Sequence, residues 1–322
     1  MNVLGIETSC DETAASVVGP TGVLSDVVYT QRIHEEYLGV VPELASRAHA
    51  EKIVAVTRAA LDQAGVERPD GVAATAGPGL IGAVLVGLSF GKSLALGWGV
   101  PFIGVNHLEG HLLSPLLEDP APGFPFLGLV VSGGHTTLYL ARGVGDYDTL
   151  ATTVDDAAGE AYDKVARVLG LGYPGGPVVD RMAQDGNPHA VALPRPRTKT
   201  DDWSFSGLKT AVRHAVHSGE AQPGPDLAAS FQQAVVDVLL RRVLKASAAT
   251  GVRTVALSGG VAANSQLRQT FLEHPRLDTF LPPRSRCTDN GAMIANVGRL
   301  RLLAGQRDPL STSARPRWSP GA

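Results

Sequence analysis

Apolar residues recur along the chain in short blocks separated by polar turns. Val3-Leu4-Gly5-Ile6-Glu7 predicts a strand, Thr8 to Thr13 a polar turn, and Ala14 to Val18 a second strand. The same order returns in Phe126 to Val131, the turn Ser132-Gly133-Gly134-His135-Thr136, and Thr137 to Leu140. A third strand-to-turn unit, Thr254 to Leu257 with Ser258-Gly259-Gly260, leads into a helical pattern from Ala262 to Phe271. Two hairpins with turns of similar size, one in each half, suggest an internal duplication. Helical periodicity over Pro42 to Ala64 and Asp226 to Ala249 alternates with the strands, so the chain reads as α/β layers, with ligands expected in a cleft between two lobes.

Two helical stretches make finer predictions. In Pro42 to Ala64, Ala50, Ile53, Val54, Thr57 and Leu61 form a stripe that suits the core. Ala45, Ala48, Lys52, Ala55 and Ala59 form a second stripe of small residues around one lysine, open to close approach by another helix. Leu80 to Val105 is the longest apolar stretch, interrupted by Lys92 and ended by Pro101. Its uninterrupted part is shorter than the roughly 20 residues that span a bilayer, so a helix buried on all sides in a soluble core is expected. Gly87 to Ser93 is one residue short of the phosphate-loop spacing and has no strand before it, so Gly87 and Gly91 are read as close-packing positions.

Length and composition divide the chain in two. With 322 residues and 44% hydrophobic content there is material for two cores of about 150 residues each. Pro120, Pro122 and Pro125 break the segment Leu117 to Pro125. The first lobe is therefore expected over 1–115 and the second over 116–289, with a C-terminal helix at about 290–313 free to pack back on the first and a disordered tail over 314–322. A net charge of −3 argues against a protein that coats nucleic acid by bulk electrostatics, but leaves room for a local basic patch. Cys10 and Cys287 are too few for a disulfide framework or a thiolate metal site, and the first residues lack a charged signal-peptide region. A cytoplasmic protein with no membrane association is expected.

The sharpest chemistry lies in His107-Leu108-Glu109-Gly110-His111, where two histidines four residues apart can face one metal ion from one helix turn. Asp289, in a polar turn that opens an apolar helix, is the natural third ligand. The alternative is a pair of exposed helix histidines. Ser132-Gly133-Gly134 and Ser258-Gly259-Gly260 can bring backbone N–H groups close to phosphate, or can be plain turns. The carboxylates around Tyr173-Pro174-Gly175-Gly176-Pro177 can accept from ribose hydroxyls, or belong to a solvated helix face. Asn264 can bind ribose or cap a helix. Asp11 and Glu12 are turn residues that can serve as a base. The run from Arg195 through Trp203 and Phe205 to His214 joins cations to aromatics, as a solvated surface or as an RNA contact.

These motifs together resemble the tRNA N(6)-adenosine threonylcarbamoyltransferase family, TsaD, formerly called glycoprotease Gcp, in its bacterial form. The resemblance covers nearly the whole chain, through GIETSCDETA, PELASRAH, GPGLIGAVLVG, VNHLEGHLLSPLLE, VSGGHTTL, GEAYDKVARVLGLGYPGGP, FSGLKTAV, LSGGVAANSQLR and CTDNGAMIA. It implies the two-lobed actin-like ATPase fold (ASKHA) of Hsp70 and sugar kinases. It implies His107, His111 and Asp289 as ligands of one Fe(II) per chain, with Zn²⁺ as the alternative by ligand type. Val130, Val131, Ser132, Gly133 and Gly134 become the loop around phosphate and acyl group, and Asp163, Gly176, Asp180 and Asn264 the nucleotide contacts. The implied reaction moves threonylcarbamoyl from threonylcarbamoyl-AMP to the N(6) amine of adenine 37 in tRNAs reading codons that begin with A. The implied partners are TsaB, TsaE and a threonylcarbamoyl-AMP synthase, in addition to the tRNA substrate.

Rival functions part on geometry. A zinc peptidase needs its glutamate directly after the first histidine, whereas Glu109 is turned about 200° from each histidine at about 100° per residue. A small-molecule kinase of the same fold holds Mg²⁺ through carboxylates and phosphate and has no use for a histidine pair. A non-catalytic scaffold would show neither stoichiometric metal nor transfer to tRNA.

Overall fold

A computed structural model describes residues 1–321 and divides the chain into two compact units. The first comprises Met1–Ala121 and the chain from Asp289 onward; the second is Pro122–Thr288.

In the first unit the hairpin pattern gives β1 (Val3–Glu7) antiparallel to β2 (Glu12–Gly19), which pairs antiparallel with β3 (Gly22–Thr30). Helix α1 (Pro42–Ala64) leads to β4 (Gly71–Gly77), α2 (Ile81–Trp98), β5 (Phe102–Asn106) and the short α3 (His107–Leu113). The sheet order is β3-β2-β1-β4-β5, with β1, β4 and β5 parallel. Val3, Leu4 and Ile6 are all fully buried because both faces of the sheet are covered, as parallel strands require. Leu4 and Ile6 face α1 and α2. The other face carries the C-terminal helix, described below as α9, and a Cβ on Gly5 would overlap that helix at Gly291 and Ala295.

The second unit repeats this plan. Strands β6 (Phe126–Val131), β7 (Thr136–Gly143) and β8 (Asp146–Thr152) form an antiparallel meander. Helices α4 (Ala158–Val168), α5 (Gly175–Ala183), α6 (Ser206–Ser218) and α7 (Pro225–Thr250) precede β9 (Thr254–Ser258), α8 (Ser265–Leu272) and β10 (Asp278–Phe280). The order β8-β7-β6-β9-β10, with β9 and β10 parallel to β6, matches the first sheet strand for strand. The chain ends with α9 (Gly291–Leu303) in the first unit.

Three expectations are corrected. Helix α2 is not buried on all sides: Ala83, Val84, Gly87, Leu88, Gly91 and Ala95 face inward, while Ile81, Leu85 and Leu96 are exposed. It is long and apolar enough to cross a bilayer, yet it is a layer helix whose Gly87 and Gly91 lie against Thr8 and Ala74, where a Cβ would collide. On α1 the core stripe is Ala45, His49, Ile53, Val56, Thr57 and Ala60, so Ala50 and Val54 face out and Ala45 faces in. The rotation comes from His49, a buried polar residue that an apolar count passes over. Residues 314–321 are not disordered: Arg315 N donates to Ala76 O at 2.7 Å, and Asn106 Nδ2 donates to Trp318 O at 3.1 Å. The last residue of that expected tail, Ala322, lies outside the described residues.

Candidate functional site

The first unit gathers its polar chemistry at the C-terminal ends of β1, β4 and β5, where parallel strands leave room for ligands. Asn106 ends β5 and caps α3, its Oδ1 accepting from Leu108 N at 2.9 Å and Glu109 N at 3.3 Å. This cap starts a helical turn at His107, which brings the His107 and His111 rings to 4.8 Å between centroids, edge to face. Asp289, just before the α9 cap Asn290, places Oδ1 at 2.9 Å from His111 Nε2 and 3.6 Å from His107 Nε2. One ligand atom from each of the three residues lies within 4.8 Å of the others. Two ligands about 2.1 Å from a shared ion stand about 3.0–3.4 Å apart, and the contacts of Asp289 with the two histidines bracket that spacing.

What holds His107 is a residue the sequence reading missed. Glu7, at the end of β1 and fully buried, puts Oε2 at 2.9 Å from His107 Nδ1. Thr75 Oγ1 donates to the same oxygen at 2.7 Å, and Ser9 N donates to Oε1. A histidine that gives its Nδ1 proton to a carboxylate directs its Nε2 lone pair outward, the arrangement that orients metal ligands. A charged residue closing the otherwise apolar strand Val3–Ile6 was the available signal, because burying a lone carboxylate is costly.

The electrostatics call for positive charge at this point. Burial lowers the pKa of His107, but Asp289 and Glu7 outweigh it and raise it to about 9. Burial raises that of Glu7, and the His107 charge and hydrogen bond outweigh it to leave the carboxyl below its usual range. A cation held by His107, His111 and Asp289 would take the place of that proton. His111 Nδ1 is buried with no hydrogen-bond partner among the described residues, so only His107 has a carboxylate behind it.

Asp11 and Glu12 open β2 beside this centre. Burial first, then Asp289 and Asp11, push the Glu12 carboxyl well above its usual range. The turn is fixed from below by His49, whose Nδ1 faces Thr13 Oγ1 at 2.8 Å and Gln31 Nε2 at 3.2 Å. Because Gln31 Nε2 is a donor, His49 Nδ1 accepts and its Nε2–H donates to Cys10 O at 3.0 Å. Glu109 is fully buried and pairs with Arg301 on α9 at 2.7 Å, away from the histidine face.

The second unit brings its sequence-predicted residues to the C-terminal ends of β6 and β9. Val130 and Val131 are buried in β6, while Gly133 and Gly134 are exposed at the turn tip. Ser132 closes that turn, donating N–H to His135 O at 2.8 Å and accepting from His135 N through Oγ at 3.1 Å. Gly259 (φ +89°) packs on the Val131 carbonyl, a backbone position only glycine fills without strain. Asp163 Oδ1 accepts from Gly175 N at 2.7 Å, with half-buried Gly176 next in the chain and open space where its Cβ would be. Asp180 accepts from Ser265 Oγ at 2.6 Å and from Asn264 Nδ2 at 3.1 Å. Asn264 caps α8, one of its two expected roles: its Oδ1 accepts from Leu267 N, and its Nδ2 also reaches Gln232 Oε1 at 2.7 Å. The aromatics of the basic run are core residues, Trp203 2% and Phe205 0% exposed, and cannot stack on bases.

A family profile described as TsaD, tRNA N6-adenosine threonylcarbamoyltransferase, matches residues 22–296. The chain is 55% identical over 326 aligned residues to the tRNA N6-adenosine threonylcarbamoyltransferase of Sphingopyxis alaskensis, covering 98% of this chain and 94% of that one. It is 51% identical to the protein of the same name from Anaeromyxobacter dehalogenans, covering 98% of each. Among solved structures, full-length HypF superposes with a TM-score of 0.64 at 14% identity, over 94% of this chain and 46% of that one, so this chain spans about half of HypF. Component A of the Acidaminococcus fermentans (R)-2-hydroxyglutaryl-CoA dehydratase superposes with a TM-score of 0.55 at 14% identity, over 92% of this chain and 97% of that one. These structural likenesses show the fold, which is that of the actin-like ATPases.

Proposed function

The chain belongs to the tRNA N6-adenosine threonylcarbamoyltransferase family, and from that premise we propose that it transfers threonylcarbamoyl from threonylcarbamoyl-AMP to the N6 amine of adenine 37 in tRNAs reading codons that begin with A. The observation that carries this reading is likeness over the full chain, 55% identity across 98% of its length, to a curated transferase. In the reaction the amine nitrogen forms a bond to the carbamoyl carbon, the bond from that carbon to the phosphate oxygen breaks, and AMP leaves with the electron pair. The amine proton goes to Glu12 or Asp11, with Glu12 favoured by its raised affinity for a proton.

His107, His111 and Asp289 would hold Fe(II), one per chain, with Zn²⁺ equally suited by ligand type. When bound, such an ion orients substrate oxygens and offsets the negative charge that develops on them. Glu7 keeps His107 in the ligating tautomer. The Ser132–Gly134 turn would take phosphate on its N–H groups, and Asp163, Gly176, Asp180 and Asn264 would line the nucleotide. The protein would work in the cytoplasm with TsaB and TsaE, supplied by a threonylcarbamoyl-AMP synthase. The outward apolar residues Val54 on α1 and Ile81, Leu85 and Leu96 on α2 support a TsaB helix docking there.

The test is transfer of labelled threonylcarbamoyl to tRNA transcript, with and without the partner proteins. Label on transcripts with adenine 37 and none on a transcript with another base there is expected. No label under any combination overturns the reading.

A further inference from the structure

An RNA substrate meets a chain of net charge −3, so it must find a local concentration of cations. In the second unit the basic run is neutralised in part: Arg195 pairs with Asp237 at 2.8 Å and Lys209 lies 3.9 Å from Asp156. The end of the chain differs. Between residues 299 and 318 stand five arginines, 299, 301, 307, 315 and 317, against the single acid Asp308. Arg307, Arg315 and Arg317 are exposed and have no carboxylate within ion-pair distance among the described residues.

This segment is a strap along the edge strand β5 that reaches the end of β4. Asp308 N donates to Phe102 O and Asp308 Oδ2 accepts from Gly104 N, while Arg315 N donates to Ala76 O. The strap and the sheet line a cavity of about 420 Å³ whose polar wall includes Arg301, Ser311, Ser313 and Arg315, with the Asp308 carboxylate held on Gly104 N. The Arg315 guanidinium lies 4.9 Å from the Trp318 ring centre, a stacking contact that holds its plane while leaving the N–H edges for a ligand. Two contacts tie the cavity to the metal helix: Arg301 pairs with Glu109, and Asn106 bonds Trp318 O with one end of its amide while capping α3 with the other.

We propose that this strap is an RNA-docking surface, with the unpaired Arg315 and Arg317 and the Ser311 and Ser313 hydroxyls holding backbone phosphates of the tRNA. The proposal rests on the transferase reading above. An arginine fork matches phosphate oxygens in pairs, and cations spread along an exposed strap suit a run of phosphodiesters better than one small anion.

The experiment measures binding of unmodified tRNA transcript by the full chain over a salt series, for wild type, Arg315→Glu/Arg317→Glu and Arg315→Lys/Arg317→Lys. Each phosphate contact contributes a slope of about −0.7 to −0.9 in log affinity against log salt. Loss of two contacts should lower affinity about 25- to 60-fold at 0.1 M salt and flatten the slope by about 1.4 to 1.8. The lysine variant should keep most of the slope, and metal content and Tm should stay at wild-type values, since among the described residues the Arg315 side chain makes no hydrogen bond or ion pair and lies over Trp318. Equal tRNA affinity in wild type and glutamate variant overturns the proposal. So does a variant that loses affinity for inorganic phosphate or AMP but keeps tRNA, which would make the cavity a small-anion site. If wild type labels tRNA but the glutamate variant labels and binds it equally, only the docking surface fails; if wild type neither binds nor labels tRNA, the transferase reading fails with it.

Discussion

Glu7→Gln tests whether the buried carboxylate behind His107 sets the metal site. The two Glu7 oxygens accept from three donors, His107 Nδ1 at 2.9 Å, Thr75 Oγ1 at 2.7 Å and Ser9 N. An amide has one accepting oxygen, so at least one of these donors must face an NH₂ group. A buried donor left unmet costs about 1–3 kcal/mol. The lost charge also weakens the hold on the His107 tautomer, and loss of such a supporting partner typically lowers metal affinity about 10- to 100-fold, or about 1.4–2.7 kcal/mol. Chelator-competition titration with Fe(II) or Zn²⁺, beside His107→Ala, His111→Ala and Asp289→Ala variants that should lose most of the metal, reads the effect. Glu7→Asp, one methylene short, should fall between wild type and Gln. Wild-type metal affinity in folded Glu7→Gln would refute the argument that Glu7 orients this histidine.

The pH dependence has a fixed sign. His107 is raised above 6.5 to about 9, so in the metal-free protein its contribution to stability is complete below pH 6.5 and is lost as pH rises through about 9. Metal affinity runs the other way, gaining about one log unit per pH unit up to about pH 9 because a proton must leave His107 first, and titrations at several pH values check it. Asp180→Ala and Asn264→Ala should each weaken AMP binding in calorimetry without changing metal content. Asn264→Ala should also cost about 1 kcal/mol of stability through the lost α8 cap; unchanged AMP affinity in both would leave the pair a purely structural role. Bulky charged residues at the exposed positions Ala55 and Ala59 should abolish co-elution with TsaB while the protein stays folded.

Periodicity made the layers legible because strands buried on both faces and helices with one apolar face leave strong patterns. It failed where a polar residue was part of the core. His49 is buried among Thr13, Gln31 and Cys10, so a stripe drawn from apolar residues alone came out rotated on α1. The His107 and His111 pair was legible because its spacing is one helical turn, whereas Asp289, 178 residues from His111, was read from its own polar turn and from the family resemblance. Glu7 was not, since its role depends on β1 pairing with β4, which brings Thr75 from 68 residues away. The strap was hidden for a similar reason: its hydrogen bonds go to Ala76, Phe102 and Asn106, and its own sequence, rich in serine, proline and arginine, carries no periodicity. Trp203 and Phe205 show the opposite error, in which neighbours in sequence were read as one surface although the aromatics turn inward.

The duplicated topology lets one plan present two kinds of polar end. In both units the first hairpin turn follows the central strand and projects from the end where the parallel strands finish. Its residues therefore decide the charge that end attracts. After β1 the turn follows the carboxylate Glu7 and sits beside Asp289, and these two carboxylates pull on a positive charge strongly enough to raise the pKa of His107 to about 9 against its burial. After β6 the corresponding turn is Ser132-Gly133-Gly134, with no carboxylate of its own and with the backbone of two glycines exposed, which suits an anion. Changing a few turn residues on a repeated sheet thus gives the two ends opposite charge preferences without altering either core.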